Sequence, residues 1–195
     1  MRKVFPLLII IVLLFLLAIL VSLYQSKTTI YVDKSWTIQE KNIESIDLYG
    51  TEQPIKVLID NENKFERTVV SVSGNVSKST LDTIKKAKNR KSKLYIPFSQ
   101  KGFKLITTSI GKDELIVKIQ LGRNATFKFI NINTWNGKIT VKVPKNYDGS
   151  YDVKLNQGAK LIECPPTERT MKSVIKIDAY QDTIIERSDR NDSSS

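Results

Sequence analysis

The 195 residues contain no histidine and one cysteine, Cys164. Without histidine there are no Ser-His or Cys-His nucleophilic pairs, no His-ligated zinc and no imidazole base near neutral pH. One cysteine cannot close an intramolecular disulfide, so no disulfide scaffold holds the chain. The phosphate-cradling loop is missing as well. GNVSKST, Gly74 to Thr80, has neither the second glycine nor the Gly-Lys-Ser/Thr ending that such a loop needs. Acidic residues are outnumbered, 20 against 31 basic ones, which leaves a net charge of +11 and a long-range attraction to polyanions.

What is present begins with one long apolar run. Val4 to Tyr24 carries no charge, and about 20 apolar residues in a helix cross a hydrocarbon core of about 30 Å. Pro6 falls in the first turn, where its missing N–H costs little. Arg2 and Lys3 precede the run and are expected to stay cytoplasmic, which sends the rest of the chain outward. The run is longer than a secretory signal core, and its exit LVSLYQSK lacks an Ala-x-Ala cleavage pattern. The expectation is an uncleaved single-span anchor over residues 1–26, an extracytoplasmic domain over 27–186 and a disordered tail over 187–195. Outside the cell the polyanions at hand are wall polymers and lipid headgroups. Nucleic acid is not an expected partner.

Beyond the anchor, apolar residues alternate with period two, the pattern of strands with one buried face. IDLY places Ile46 and Leu48 on one side, and PIKVLID does the same with Ile55, Val57 and Ile59. ELIVKIQL aligns Leu115, Val117, Ile119 and Leu121; KITVKV aligns Ile139, Val141 and Val143. FERTVVSV, KLYIPF, FKLITT and SYDVKL follow the same rule. Turn signals divide the runs: Asn136-Gly137, Asp148-Gly149, Gly158, Gly111 and the DNEN of Asp60 to Asn63. These features predict an all-β domain of many short strands, a β-solenoid or a sandwich. STLDTIKKAKN is the exception, predicting a short helix capped by Ser79 or Thr80 with Leu81 and Ile84 inward.

Few catalytic arrangements survive inspection. LIECPPTER, Leu161 to Arg169, resembles the strand-end cysteine and following arginine of sortases, but their mechanism requires a histidine that this chain lacks. Type I signal peptidases carry a Ser-Met-x-Pro motif, and the only methionines here are Met1 and Met171. Asp60 with Glu62, and Asp113 with Glu114, have neither the spacing nor the central glycine of a calcium loop. No catalytic residue, metal or cofactor is assigned.

Two binding features stand out instead. KKAKNRKSK, Lys85 to Lys93, holds six cations in nine residues: Lys85, Lys86, Lys88, Arg90, Lys91 and Lys93. A run of this kind is a solvated surface or a polyanion-binding site, and the expectation is a protruding loop or short helix between two strands. Trp135, flanked by Asn133 and Asn136, is a candidate sugar-stacking residue with Tyr147 and Tyr151 downstream, the alternative being that it covers the edge of the core.

The segment Gly122 to Glu163 resembles bacterial surface proteins grouped as adhesins, a family of unknown molecular function. The resemblance rests on ITVKVPKNYDGSYDVKL, Ile139 to Leu155, an apolar-x-Val-x-Val-Pro unit followed by a polar turn and another strand. IDLYGTEQPIKVLIDNENKF and SKLYIPF resemble the family's opening strands. The resemblance implies a membrane-anchored β-solenoid-like surface domain with adhesion or envelope stress as its setting and no catalytic residues, while the single cysteine of an exported chain suits a Gram-positive envelope. The expected partners are therefore the membrane, an anionic wall polymer or lipid headgroup, and a membrane protein. A structural subunit of a secretion or conjugation complex is the alternative.

Overall fold

The computed structural model describes residues 4–25, 27–99, 112–167 and 172–188. Arg2, Lys3, the FKLITT strand, the Gly111 turn, Arg169 and the tail beyond residue 188 lie outside the described residues. Among the described residues there are two helices and thirteen strands. Helix α1 spans Val4–Gln25 and α2 spans Lys78–Ile84. The strands are β1 Ile30–Ile38, β2 Asn42–Thr51, β3 Ile55–Phe65, β4 Thr68–Val76, β5 Lys88–Arg90, β6 Lys93–Pro97 and β7 Leu115–Gly122. They continue as β8 Thr126–Thr134, β9 Ile139–Val143, β10 Ser150–Leu155, β11 Leu161–Glu163, β12 Val174–Ala179 and β13 Thr183–Arg187.

Along α1 the side chains described run from Leu8 to Val21, and ten consecutive apolar ones, Leu8 to Leu17, are exposed. Ten consecutive helical residues cover every face. Among the described residues no helix is long and apolar enough to cross a membrane.

The strands form two sheets. Sheet A runs β1-β4-β7-β3-β9-β13-β11, and sheet B runs β10-β12-β8-β2-β6-β5. From β7 to β11 in sheet A, and from β10 to β6 in sheet B, every neighbour is parallel. Each of these sheet B strands is followed in the chain by its counterpart in sheet A, so β2 and β3, β6 and β7, β8 and β9, β10 and β11, β12 and β13 form coils. Both sheets stack the coils in one spatial order: fourth, fifth, third, first, second. The domain is thus solenoid-like in its coils and a sandwich in its two layers. Its stacking order does not follow the chain.

Alternation builds the core. Leu115, Ile55 and Ile139 stand in one row of sheet A, with Val117, Val57, Val141 and Ile185 in the next. Facing rows in sheet B are Ile175, Ile130, Ile46 and Leu94, then Ile177, Ile132, Leu48 and Ile96. All are nearly inaccessible to solvent. Removing this much apolar surface from water is the main driving force for the fold. The corners are tied by backbone bonds that follow the stack: Leu115 N–H to the Pro54 carbonyl, Ile55 to Lys138, Ile139 to Asp182 and Thr183 to Lys160. The buried Gln53 amide adds bonds of 3.0 Å to the carbonyls of Asn75 and Asp113.

Several expectations change here. Asn136-Gly137, Asp148-Gly149 and Gly158 lie at corners between the sheets, because each strand is continued in the opposite layer. DNEN is part of β3, whose register against β7 shifts between Asp60 and Phe65. Helix α2 begins earlier than expected: Ser77 is its cap, and the Thr80 N–H donates to Ser77 Oγ at 3.2 Å. Ile84 is buried and Leu81 packs against the core, as the periodicity requires. The helix touches both β1 and β6 and covers the gap between the layers.

Candidate polyanion-binding site

The basic stretch is neither a loop nor a helix over most of its length. Lys85 is the C-terminal cap of α2, and Lys86 and Ala87 close the last turn onto the carbonyls of Thr83 and Ile84. Lys88, Asn89 and Arg90 form β5, the outermost strand of sheet B, paired antiparallel with Tyr95, Leu94 and Lys93. Lys91 and Ser92 make a two-residue hairpin turn, with Lys91 at a φ of +39°. Short hairpin turns demand such positive φ values. The Ser92 carbonyl accepts from the N–H groups of Glu44 and Ser45, and Asn89 Nδ2 donates to the Thr37 carbonyl at 2.8 Å. The cations therefore ride on a fixed hairpin at a sheet edge.

Two of the six are neutralised. Lys85 pairs with Asp82 at 3.2 Å and Lys93 with Glu44 at 2.6 Å. Among the described residues no acidic side chain pairs with Lys86, Lys88, Arg90 or Lys91. Lysine on an edge strand also blocks unwanted strand pairing, which Lys88 alone would achieve. Arg90 lies directly opposite Lys93 in the register. Glu44, paired with Lys93, offsets the repulsion between these facing cations.

Asn89 shares the inward side with Leu94, so Lys88 and Arg90 share the outer face with Tyr95 and Lys93. The same face carries an aromatic group. Tyr49 and Tyr95 rings lie 6.1 Å apart at 34°, and Trp135 meets Tyr49 at 6.4 Å and 83°. Gly50, at a φ of +76°, makes room for the indole: a Cβ there would lie 2.8 Å from Trp135 Nε1 and 2.5 Å from Ser99 Oγ. Burial pushes the Tyr95 hydroxyl up from its ordinary pKa, with Tyr49 and Asp47 adding to the effect. Asp47 accepts from Asn131 Nδ2 at 2.5 Å and from Ser45 Oγ at 2.8 Å. Asn133 Oδ1 is buried without a hydrogen-bond partner, an acceptor that turning the amide would offer to a hydroxyl.

Tyr147 and Tyr151 do not join Trp135. Tyr147 stacks on Phe127 at 6.1 Å and 5°, with Tyr151 at 5.5 Å. Phe127 and Trp135 stand at opposite ends of β8, about 26 Å apart at about 3.3 Å per residue. The Tyr147 hydroxyl donates toward the carbonyls of Ser150 and Ser173. Burial holds both tyrosines well above the usual range, Tyr151 at about 12. They close the core at a corner.

Cys164 is exposed just beyond β11, and partial burial pushes its thiol up, the opposite of what an activated thiolate needs. Asp113 accepts from Asn75 Nδ2 at 2.9 Å, and the Glu62 side chain lies outside the described residues. Among the described residues no group of three His, Cys, Asp or Glu residues could hold a metal ion. Trp36 packs its strand onto the core.

Together these features define an all-β, coil-stacked domain with a cationic hairpin at one sheet edge. No protein-family model matches the sequence, and no curated protein matches it. Among solved structures, the chain is similar to a "putative cell adhesion protein" from Clostridium sporogenes ATCC 15579. That match has 14% identity, covers 82% of this chain and 100% of the other, and has a TM-score of 0.35. A second match is a "putative adhesin" from Bacteroides fragilis NCTC 9343, with 10% identity, 83% and 99% coverage and a TM-score of 0.32. The fold is defined by the pairing of its own strands.

Proposed function

We propose that this chain is a membrane-anchored, non-enzymatic cell-envelope protein whose outward-facing β domain binds an anionic envelope polymer. The observation that carries the reading is the β5–β6 hairpin and the α2 turn before it, where Lys86, Lys88, Arg90 and Lys91 have no acidic partner among the described residues. The anchor is supported by the uncharged run Val4 to Tyr24 and by apolar side chains exposed on every face of α1. An all-apolar helical surface calls for an apolar surround.

The position of the hairpin bears on which polyanion it meets. Asn89 is bonded at Thr37, and β1 begins at Ile30, seven residues earlier. Seven extended residues span about 23 Å, more than the Debye length of about 8 Å at physiological ionic strength. A wall polymer therefore fits better than the headgroups of the protein's own membrane, given a β1 that rises from the bilayer. Replacing Lys86, Lys88, Arg90 and Lys91 by glutamine in the full chain is expected to weaken binding to purified wall polymer more than tenfold at low salt. Unfolding by heat should be little changed. Equal binding by the variant and the parent would refute the proposal.

A further inference from the structure

The cationic edge and the aromatic group belong to one continuous surface. In the register of sheet B, Tyr95 is opposite Lys88 on one side and Asp47 on the other, while Tyr49 is opposite Asn133. Trp135 follows one position beyond β8, and its backbone N–H donates to the Thr51 carbonyl. Passing from β8 through β2 and β6 to β5 crosses three strand spacings, about 14 Å at about 4.8 Å each. Over that distance the face changes from Trp135 to Tyr49, to Tyr95, and then to Lys88 and Arg90. Trp135 keeps 42% of its surface exposed, a large value for a residue placed by a glycine and clasped by a neighbouring ring. Its near-perpendicular setting against Tyr49 makes a step, with the two less inclined tyrosine rings beside it.

We infer that this outer face of sheet B binds an acidic polysaccharide, whose sugar rings lie on Trp135, Tyr49 and Tyr95 while Lys88 and Arg90 hold its anionic groups. The inference rests on the polyanion reading and names the ligand class. Aromatic faces accept the apolar side of a sugar ring as they accept any flat apolar group. An arginine fork suits carboxylate and phosphate alike. The Asp47 carboxylate lies beside the rings, and although Asn131 and Ser45 occupy it, it retains acceptor capacity for hydroxyls. Lys88 and Arg90 bound the aromatic group on the β5 side, and Lys176, opposite Asn131 in the register, stands on the same face beyond β8.

The test uses the full chain in detergent and three defined probes: polygalacturonate, inorganic polyphosphate and oligothymidylate. Polygalacturonate has rings and charge, while polyphosphate has charge without rings. Trp135→Ala and Tyr95→Ala are each expected to weaken polygalacturonate binding about tenfold and to leave polyphosphate binding within about twofold. Tyr95→Phe, which keeps the ring, should bind like the parent. Lys88→Gln with Arg90→Gln should weaken both polymers. In a Trp36→Phe background Trp135 is the only tryptophan, and polygalacturonate should shift its fluorescence where polyphosphate does not. This last measurement needs no change at the aromatic site. The inference is overturned if the ring deletions weaken both polymers equally or neither, or if oligothymidylate binds more tightly than polygalacturonate. Unchanged binding after removal of the two cations would instead defeat the polyanion reading beneath it.

Discussion

Gly137 holds a φ of +99°, and a Cβ built there would lie 2.4 Å from the carbonyl carbon of Gln53 and 2.7 Å from the nitrogen of Pro54. Both neighbours are backbone, at the corner where Ile55 bonds to Lys138, so neither can swing aside. Gly158 at another corner has a φ of +80° with nothing within 4 Å of its Cβ position. The pair separates conformational strain from collision. Gly158→Ala is expected to cost about 1 kcal/mol, the penalty of a left-handed backbone alone. Gly137→Ala should cost several times that, measured by urea unfolding at equilibrium. A similar loss for both would mean the Gln53 corner yields. Asn136-Gly137 is legible in the sequence as a positive-φ turn, but the corner it abuts is not, because Gln53 lies far away in the chain.

Elements were legible where burial shapes them and illegible where hydrogen bonding alone does. Strands β2, β3, β7 and β9 alternate apolar and polar residues because one face meets the core, so their spans and inward faces follow from the sequence. Strand β5 has three exposed residues, and only its pairing with β6 makes it a strand. Lys88, Asn89 and Arg90 therefore read as a charged loop. The aromatic group was half visible. With Ile46 and Leu48 inward, Asp47 and Tyr49 had to face out, and Leu94 likewise sends Tyr95 outward. Their meeting depends on the parallel pairing of β2 with β6 and β8, which local pattern cannot supply. The hairpin also stores strain at Lys91, a non-glycine residue in the left-handed region. Asparagine adopts that region more readily. Lys91→Asn is expected to raise the melting temperature by a degree or two, since a few tenths of a kcal/mol shift a domain of this size by that much. It should also slightly weaken polyanion binding at low salt, because one cation is gone.

At the scale of the whole molecule the third coil occupies the middle of the stack, and the first coil has later coils on both sides of it. Asp47 and Asn131 meet across 84 residues of chain, so the domain's coherence is long-range. One end of the stack is closed by β4, β1, α2 and β5. The other end is formed by the β10–β11 coil, whose edge strand leaves Leu161 and Ile162 exposed, with Cys164 just beyond it. That cysteine is the only one in the chain, which makes it a native reporter of which side of the membrane the domain occupies. Under the proposed anchor, the positive-inside rule expects Arg2 and Lys3 inside and Cys164 outside. A membrane-impermeant maleimide is therefore expected to label the full-length protein in intact cells as completely as after lysis. Because partial burial pushes the thiol up, the thiolate that reacts is scarce near neutrality. Labelling should accelerate as pH rises toward and beyond about 8.5, the ordinary thiol value. Labelling that appears only after lysis would place the domain in the cytoplasm, where no wall polymer reaches the hairpin.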